Sequence, residues 1–245
     1  MKTIVIIPSR LAATRLPGKP LLKINGLSII SHVFKRAEEA NIGEVYVAAG
    51  DKEIVDEVEK NGGQAILTDT NHKSGTDRIY EAVNKIKKKD IELVMNLQGD
   101  EPIMNINDIK NLQTKMIETN SDLGTLASNI SDQKILKNQN VVKVITSELL
   151  KVDNFPEAIS FKRKFIDKTK NVYHHLGIYC YKLRTLKKFV SFKQSQNEIN
   201  NKLEQLRALD NDIKINVALA EKSPIGLDTE EDFVAIKKIM EYKNK

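Results

Sequence analysis

Short β-rich runs alternate with segments of helical period through the first part of the chain, and this alternation constrains the fold more than any other feature. The four β-rich runs lie at residues 3–7, 44–49, 64–67 and 92–97. Apolar stripes of helical spacing lie between them, at residues 29–37, 54–58 and 79–86. Repeated βα units of this kind predict an α/β fold with a Rossmann-like, mostly parallel sheet flanked by helices.

The pattern changes after residue 130, where strands follow one another without regular helical crossovers. Strands are predicted at residues 141–146, 158–161, 174–181 and 213–219, with a helical segment at 199–209. Thr229 and Asp232 form a capping-box pair that opens a final helix. We therefore expect an antiparallel insertion in the second half and one domain over residues 1–245, with parts of about 1–130, 131–210 and 211–245.

Charge and composition limit the kinds of partner. The formal charge is +6, but only 5% of residues are aromatic and none is tryptophan, so few platforms exist for stacking nucleic-acid bases. The basic balance fits the steering of a small anionic substrate better than nucleic-acid binding. The first apolar run ends at Pro8, too short for a signal peptide or a membrane span, so we expect a cytoplasmic protein without a membrane partner. The single cysteine, Cys180, predicts a buried and unreactive thiol.

A cationic loop follows the first strand, at residues 8–21. It carries Arg10, Arg15 and Lys19 on a backbone stiffened by prolines. Ligands of doubly wound sheets bind beyond the carboxyl ends of the strands, and guanidinium and ammonium groups suit phosphate oxygens. The loop is not a Walker motif, because Pro20 follows Lys19 and the upstream glycine is missing. Any one of these cations could belong to a solvated surface loop, but three together predict a polyphosphate site.

Two acids are candidates for a magnesium site. Asp100 follows a buried strand in the stretch Gln98-Gly99-Asp100-Glu101-Pro102. Mg²⁺ usually takes one or two protein carboxylates together with substrate phosphates, so a second acid is wanted. Asp228 is the candidate, with the alternative that it only complements the dipole of the helix that follows.

Two further segments carry polar side chains in suggestive patterns. Ser74 and Asp77 match a capping box, although Ser74 and its neighbours could also contact a nucleotide. Strand alternation places His175, Tyr179 and Tyr181 on one face of a strand, where they could line a sugar site or belong to the core.

These motifs, in this order, resemble the 3-deoxy-manno-octulosonate cytidylyltransferase (CMP-Kdo synthetase) family from residue 4 to about residue 239. The matching pieces are residues 8–21 with Asn25-Gly26, His72-x-Ser74-Gly75-Thr76, 98–102, 141–144, 175–181, 203–207 and Gly226-x-Asp228-Thr229. The stretch Leu-Pro-Gly-Lys-Pro-Leu is shared by many sugar nucleotidyltransferases, whereas residues 175–181 and 203–207 are typical of the Kdo branch.

The resemblance implies transfer of CMP from CTP to the acidic sugar Kdo for lipopolysaccharide synthesis, by a Mg²⁺-dependent homodimer formed largely by the second half. It implies that CTP is bound by Pro8, Arg10, Arg15, Lys19, Ser74 and Gln98. Lys19, Arg10 and Asp100 would be catalytic, and Asp100 and Asp228 would bind Mg²⁺. The sugar pocket would consist of Arg163, His175, Tyr179, Glu204 and Gln205, with Arg163 facing the sugar carboxylate.

The chain departs from the family pattern at two places. Ala49-Gly50 stands where the family often has Thr-Asp. The stretch at residues 161–167 keeps Arg163 but adds Lys162 and Lys164 and has Asp167 in place of a proline. The acceptor therefore stays open between Kdo and another acidic sugar, such as 8-amino-Kdo or a sialic-type acid.

Overall fold

The computed structural model describes residues 1–12, 15–165 and 170–242, which form two compact units. The N-terminal unit consists of residues 2–106 and 224–245, and the central unit consists mainly of residues 107–223. The sequence places its boundaries elsewhere, near residues 130 and 210. The expectation of a single domain over 1–245 stays a prediction, because compactness alone does not show whether a unit folds by itself.

The secondary structure follows the predicted βα order at first. The elements up to residue 96 are β1 (Thr3–Ser9), a 3₁₀ turn (Lys19–Leu21), β2 (Lys23–Ile24), β3 (Leu27–Ser28), α1 (Ile29–Glu39), β4 (Glu44–Ala49), α2 (Lys52–Lys60), β5 (Ala65–Leu67), α3 (Gly75–Ile86) and β6 (Leu93–Asn96). The elements after it are α4 (Ile106–Glu118), β7 (Leu123–Ser128), α5 (Gln133–Lys137), β8 (Lys143–Thr146), β9 (Ala158–Lys162), β10 (Val172–Lys182), α6 (Leu183–Ser191), α7 (Gln196–Asn201), α8 (Leu206–Leu209), β11 (Asn216–Ala220) and α9 (Glu230–Tyr242).

The N-terminal unit contains a parallel sheet with strand order β6-β1-β4-β5. β1, β4 and β6 are almost entirely buried, as the continuous apolar run of Ile4 to Ile7 requires, whereas the edge strand β5 is partly exposed. Ser28 caps α1, and the Thr229 hydroxyl accepts from the Asp232 N–H while the Asp232 carboxylate accepts from the Thr229 N–H. The parallel sheet and the capping box that opens α9 are therefore confirmed.

A small apolar cluster fixes α9 to the loops near the 3₁₀ turn. Its buried members are Ile24, Ile29, Leu227 and Ile236. Leu16 and Phe233 pack against the same cluster. Because Leu227 is fully buried, the neighbouring Asp228 is held in a defined position within the N-terminal unit.

The central unit is built on a mixed sheet with strand order β11-β7-β10-β8-β9. β11 runs parallel to β7, whereas β7, β10, β8 and β9 pair in antiparallel fashion. The antiparallel insertion predicted for the second half is thus confirmed. β7 lies in a segment for which the sequence predicted no strand.

The helical segment predicted at residues 199–209 is wrong as a continuous helix. Lys202 adopts a left-handed conformation with φ 52°, which ends α7 and separates it from α8. The short turn between these helices carries Glu204 and Gln205. Among the residues that the structure describes, no helix is long and apolar enough to cross a bilayer.

Candidate active site

The carboxyl ends of β1 and β6 meet at a cleft in the N-terminal unit. The two strands pair in parallel, with Ile6 opposite Asn96. Gly99 permits this convergence, since a Cβ there would lie 2.9 Å from the Pro8 carbonyl oxygen. The cleft has a volume of about 400 Å³ and is also lined by Gly75 at the start of α3, which adds the N–H groups of a helix N-terminus.

Every residue that the sequence assigned to the nucleotide and the metal lines this cleft. They are Pro8, Arg10, Arg15, Lys19, Ser74, Gln98, Asp100 and Asp228. They come from four separate stretches of sequence, so only the fold brings them together. The cleft is therefore rich in positive charge but also holds two acids.

Lys19 connects the two acids. Its ammonium lies 2.5 Å from Asp100 Oδ2 and 3.5 Å from Asp228 Oδ1, and it donates to the Leu227 carbonyl at 2.8 Å. Gly18 makes this approach possible, because it adopts a left-handed conformation with φ 70° at the start of the 3₁₀ turn. The Leu227 N–H donates to the Asp100 carbonyl at 2.9 Å, which fixes the two acidic segments to each other.

Asp228 is not used as a helix cap. Its carboxylate contacts Arg15 at 2.9 Å and Lys19 at 3.5 Å, while Thr229 and Asp232 make the capping bonds of α9. The side chain therefore points to the cations of the cleft, which the sequence spacing alone did not decide.

The donor set of the two acids fits a magnesium ion. Asp100 and Asp228 both contact the single cationic nitrogen of Lys19, so the structure already gathers their oxygens around positive charge. Mg²⁺ prefers one or two carboxylates and takes its other ligands from water and phosphate oxygens. Among the described residues, no cluster of three or more His, Cys, Asp or Glu side chains forms a complete protein cage.

Glu101 is a partly buried acid beside this pair that was not singled out from the sequence. Its Oε2 atom is buried without a hydrogen-bond partner. Burial, with added repulsion from Asp100 and Asp228, raises the pKa of Glu101 to about 8. At neutral pH this carboxyl is mostly protonated, which limits the negative charge at the cleft.

The loop before α3 has a structural role as well as a place in the cleft. The Ser74 hydroxyl accepts from the Asp77 N–H at 3.2 Å and donates to Asp77 Oδ2 at 2.9 Å. The predicted cap is therefore confirmed. A role of Ser74 toward a nucleotide stays a prediction.

Arg78 explains the glycine at position 50. The buried guanidinium donates to Thr68 Oγ1 at 2.5 Å and lines the cleft. A Cβ on Gly50 would lie 2.8 Å from its Nη1 atom, so any larger side chain would displace it. Burial, and secondarily the charge of Arg10, lowers the pKa of the Arg78 guanidinium.

The residues assigned to the sugar lie in the central unit. The rings of His175 and Tyr179 are 5.5 Å apart, and the ring of Tyr181 lies 5.9 Å from that of Tyr179. The shared face predicted for these side chains is thus observed, although β10 has an irregularity between Leu176 and Tyr179. Burial, and to a smaller extent Tyr181 and Glu204, raises the pKa of Tyr179, so its hydroxyl stays protonated at neutral pH.

Arg163 contacts the segment that leads to Glu204 and Gln205. Its guanidinium donates to the Asn201 carbonyl at 3.3 Å and the Lys202 carbonyl at 3.2 Å. Lys143, which is fully buried, donates to the Arg163 carbonyl at 2.5 Å and so fixes the backbone of the arginine.

Lys162, one of the departures around Arg163, makes a contact of its own. The Lys162 ammonium lies 5.9 Å from the centre of the Phe165 ring, a cation–π contact at the surface. Asp167 lies outside the described residues.

His175 is a neutral side chain of the core. It is 7% exposed, and burial lowers its pKa to about 3. Its Nε2 atom lies 3.0 Å from Thr125 Oγ1, and that hydroxyl lies 2.7 Å from the Ile178 carbonyl. Because the hydroxyl proton is taken by the carbonyl, the Nε2 proton of His175 is donated to Thr125, so the ring cannot act as a cation toward an acidic ligand.

The chain resembles known cytidylyltransferases over almost its whole length. A family model described as Cytidylyltransferase matches residues 4–215. A 3-deoxy-manno-octulosonate cytidylyltransferase of Rhodopseudomonas palustris (strain BisB18) is 42% identical over 243 residues, covering 98% of both chains. One of Thermodesulfovibrio yellowstonii is 43% identical over 251 residues, again covering 98% of both.

Solved structures agree with this relationship. A structure of CMP:2-keto-3-deoxy-manno-octonic acid synthetase complexed with CTP is 32% identical, with a TM-score of 0.89 and coverage of 99% of this chain and 100% of that chain. A 4-diphosphocytidyl-2C-methyl-D-erythritol synthase from Anaerococcus prevotii is 17% identical, with a TM-score of 0.61 over 98% of this chain and 99% of that chain, and shares the fold.

The neutral state of His175 predicts how stability depends on pH. The pKa of an unfolded histidine is 6.5, whereas the pKa of the folded His175 is about 3. Between these two pH values the unfolded state binds more protons, so the free energy of unfolding that is present above pH 6.5 decreases as the pH falls. Between pH 6.5 and 4 this group should remove roughly 3 kcal/mol of unfolding free energy. Urea unfolding of the wild type and His175→Gln across this range is the measurement. Equal pH slopes for the two proteins would contradict a neutral, buried His175.

Proposed function

The chain belongs to the family of 3-deoxy-manno-octulosonate cytidylyltransferases, and we propose that it performs the family's reaction with the residues described above. It transfers CMP from CTP to Kdo and releases pyrophosphate. The curated relatives named above are Kdo enzymes, which favours Kdo over 8-amino-Kdo or a sialic-type acid as the acceptor.

A single observation carries the assignment of residues: the ammonium of Lys19 lies between Asp100 and Asp228 at the cationic cleft. Carboxylates and cations in one cleft suit a triphosphate that arrives with a divalent ion, because phosphate oxygens bind both. A surface loop used only for solubility would not bring acids from distant parts of the sequence onto one lysine.

The cations of the cleft would bind the triphosphate and stabilise the charge that grows during transfer. Arg10, Arg15 and Lys19 would contact phosphate oxygens, and each well-placed donor is worth on the order of 3 kcal/mol toward the transition state. Asp100 and Asp228 would hold Mg²⁺, which when bound neutralises phosphate charge and acts as a Lewis acid. The reaction forms a bond between the anomeric oxygen of the sugar and the α-phosphorus, and breaks the bond from that phosphorus to the leaving pyrophosphate.

The central unit would recognise the acidic sugar. Arg163 is the candidate for the carboxylate, and Glu204, Gln205 and Tyr179 offer hydrogen-bonding groups for sugar hydroxyls. His175 would serve by shape and through its ring contact to Tyr179, because its Nε2 proton is used by Thr125.

We further propose a cytoplasmic homodimer whose product serves lipopolysaccharide synthesis. CTP is a cytosolic nucleotide, and Kdo is the sugar named for the relatives. The central unit exposes large apolar side chains at Leu149, Val152 and Ile159, the last on β9. Exposed apolar side chains, such as Ile159 on the strand β9, are typical of an association surface, which supports the dimer.

Substitution of Asp100 and Lys19 tests the roles in the cleft. We expect Asp100→Asn and Lys19→Ala each to slow turnover at saturating substrates by at least ~100-fold. Asp100→Asn removes a charged oxygen of the proposed Mg²⁺ site, and Lys19→Ala removes a cation proposed to contact the reacting phosphates. Asp56→Asn and Lys52→Ala are matched controls, since these residues form an exposed pair on α2. Steady-state rates of pyrophosphate release are the readout, and near-normal rates in either cleft variant would refute the assignment.

A matrix of substrates tests the reaction. Pyrophosphate release is measured with each of the four nucleoside triphosphates and with Kdo, 8-amino-Kdo, a sialic acid and glucose 1-phosphate. The expected result is turnover with CTP and Kdo at a kcat/KM at least ~100-fold above the other pairs, because polar groups left unpaired by a wrong substrate are costly. Preference for 8-amino-Kdo, a sialic acid or a sugar phosphate would contradict Kdo as the acceptor. Absence of any turnover would refute the proposed function.

A further inference from the structure

One turn in the central unit gathers most of the residues assigned to the acidic sugar. The turn spans residues 201–205, from the last residue of α7 to the start of α8, and it carries Glu204 and Gln205. Arg163 donates to the carbonyl groups of its first two residues. The positions of three residues proposed to bind the sugar therefore depend on the shape of this turn.

A buried ion pair brackets the turn. Glu198 on α7 is 4% exposed and Arg207 on α8 is 3% exposed. Arg207 Nε donates to Glu198 Oε2 at 2.7 Å, and Nη2 donates to Oε1 at 2.6 Å. This parallel, two-bond geometry fixes both distance and orientation, which a single hydrogen bond does not.

Neither member of the pair is available to a ligand. Glu198 also accepts from Gln194 Nε2 at 3.0 Å and from the Ser195 N–H at 3.3 Å, so both of its oxygens accept two bonds. The Arg207 guanidinium lies 4.7 Å from the centre of the Phe189 ring. The pair therefore belongs behind the binding surface rather than on it.

The helices on either side are too short to hold the turn by themselves. α7 has 6 residues and α8 has 4, and isolated helices of this length are unstable in water. The backbone of the turn is closed by the Leu203 N–H, which donates to the Glu198 carbonyl at 3.3 Å. Arg207 Nη2 also lies 3.8 Å from Glu204 Oε1, so the ion pair directly contacts one of the residues proposed to bind the sugar.

We propose that Glu198 and Arg207 are positioning residues that hold the 201–205 turn in the shape needed to bind the acidic sugar. The proposal rests on the proposed function, which assigns Arg163, Glu204 and Gln205 to that sugar. A buried ion pair is poor evidence for stability, because an apolar pair of similar volume often stabilises a protein as well or better. Its contribution here is a fixed geometry for the turn.

The test compares Glu198→Gln and Arg207→Lys with the wild type. Glu198→Gln keeps the shape of the side chain, and Arg207→Lys keeps the charge but removes the two-bond geometry. Asp122→Asn is the matched control, because Asp122 pairs with Lys182 and Arg184 elsewhere in the same unit. The readouts are KM for Kdo, KM for CTP, kcat and the melting temperature.

We expect both variants to raise KM for Kdo by at least ~10-fold, because small misplacements of binding groups are costly. KM for CTP should change less than about twofold, and so should every kinetic constant of the Asp122→Asn control. The double variant should be no worse than the poorer single variant, because the two side chains act as one unit. A lower melting temperature alone does not produce this separation between the two substrates.

An unchanged KM for Kdo in both folded variants would overturn the proposal, whatever their melting temperatures. Should both fail to fold, Phe189→Leu decides instead, because it removes the ring that lies 4.7 Å from the guanidinium and 6.2 Å from the Tyr181 ring, and it should raise KM for Kdo in the same selective way. An unchanged KM for Kdo in that variant would also overturn the proposal. Absence of turnover in the wild type would refute the proposed function itself, and the wild-type measurement separates that failure from failure of the positioning pair.

Discussion

The contact of Lys19 with Asp100 and Asp228 is the interaction on which the cleft depends. It joins the turn after β1 to the segment after β6, 81 positions away in sequence, while the bond to the Leu227 carbonyl spans 208 positions. Buried Leu227 and the cluster around Ile236 hold the second acid in place from behind. The parallel sheet supplies the frame, and opposite charges determine how the loops meet at its edge.

The central unit satisfies its buried polar groups in a different way. Lys143 is fully buried and donates to three backbone carbonyls, those of Asn138, Val141 and Arg163. His175 is neutral, and Glu198 and Arg207 neutralise each other. Because Lys143, Glu198 and Arg207 are already bonded within the protein, they can fix the position of Arg163 and of the 201–205 turn. The charges proposed to meet a triphosphate lie in the cleft of the N-terminal unit, and Arg163 is the cation proposed to meet the sugar in the central unit.

Much of this arrangement follows from local sequence signals, and the rest depends on distant contacts. The β-rich run at 44–49 predicts β4 with its observed bounds, and the cations of residues 8–21, which line the cleft, predict a phosphate site there. β7 has small residues and no alternation, so it gave no strand signal. From sequence, Asp228 could be a metal ligand or a residue that complements a helix dipole, and the fold places it beside Arg15 and Lys19. The reason for glycine at position 50 is its contact with Arg78, which the sequence does not show. Periodicity cannot show such contacts, because they join residues far apart in the chain.

The most direct measurement of the central claim is a crystal structure with CTP and Mn²⁺, in which anomalous scattering locates the metal. The account predicts a metal peak bonded to carboxylate oxygens of Asp100 and Asp228 at about 2.1 Å, a distance typical of a small octahedral cation, with the triphosphate against Arg10 and Lys19. A peak that touches neither acid, or a triphosphate bound away from Lys19, would contradict it.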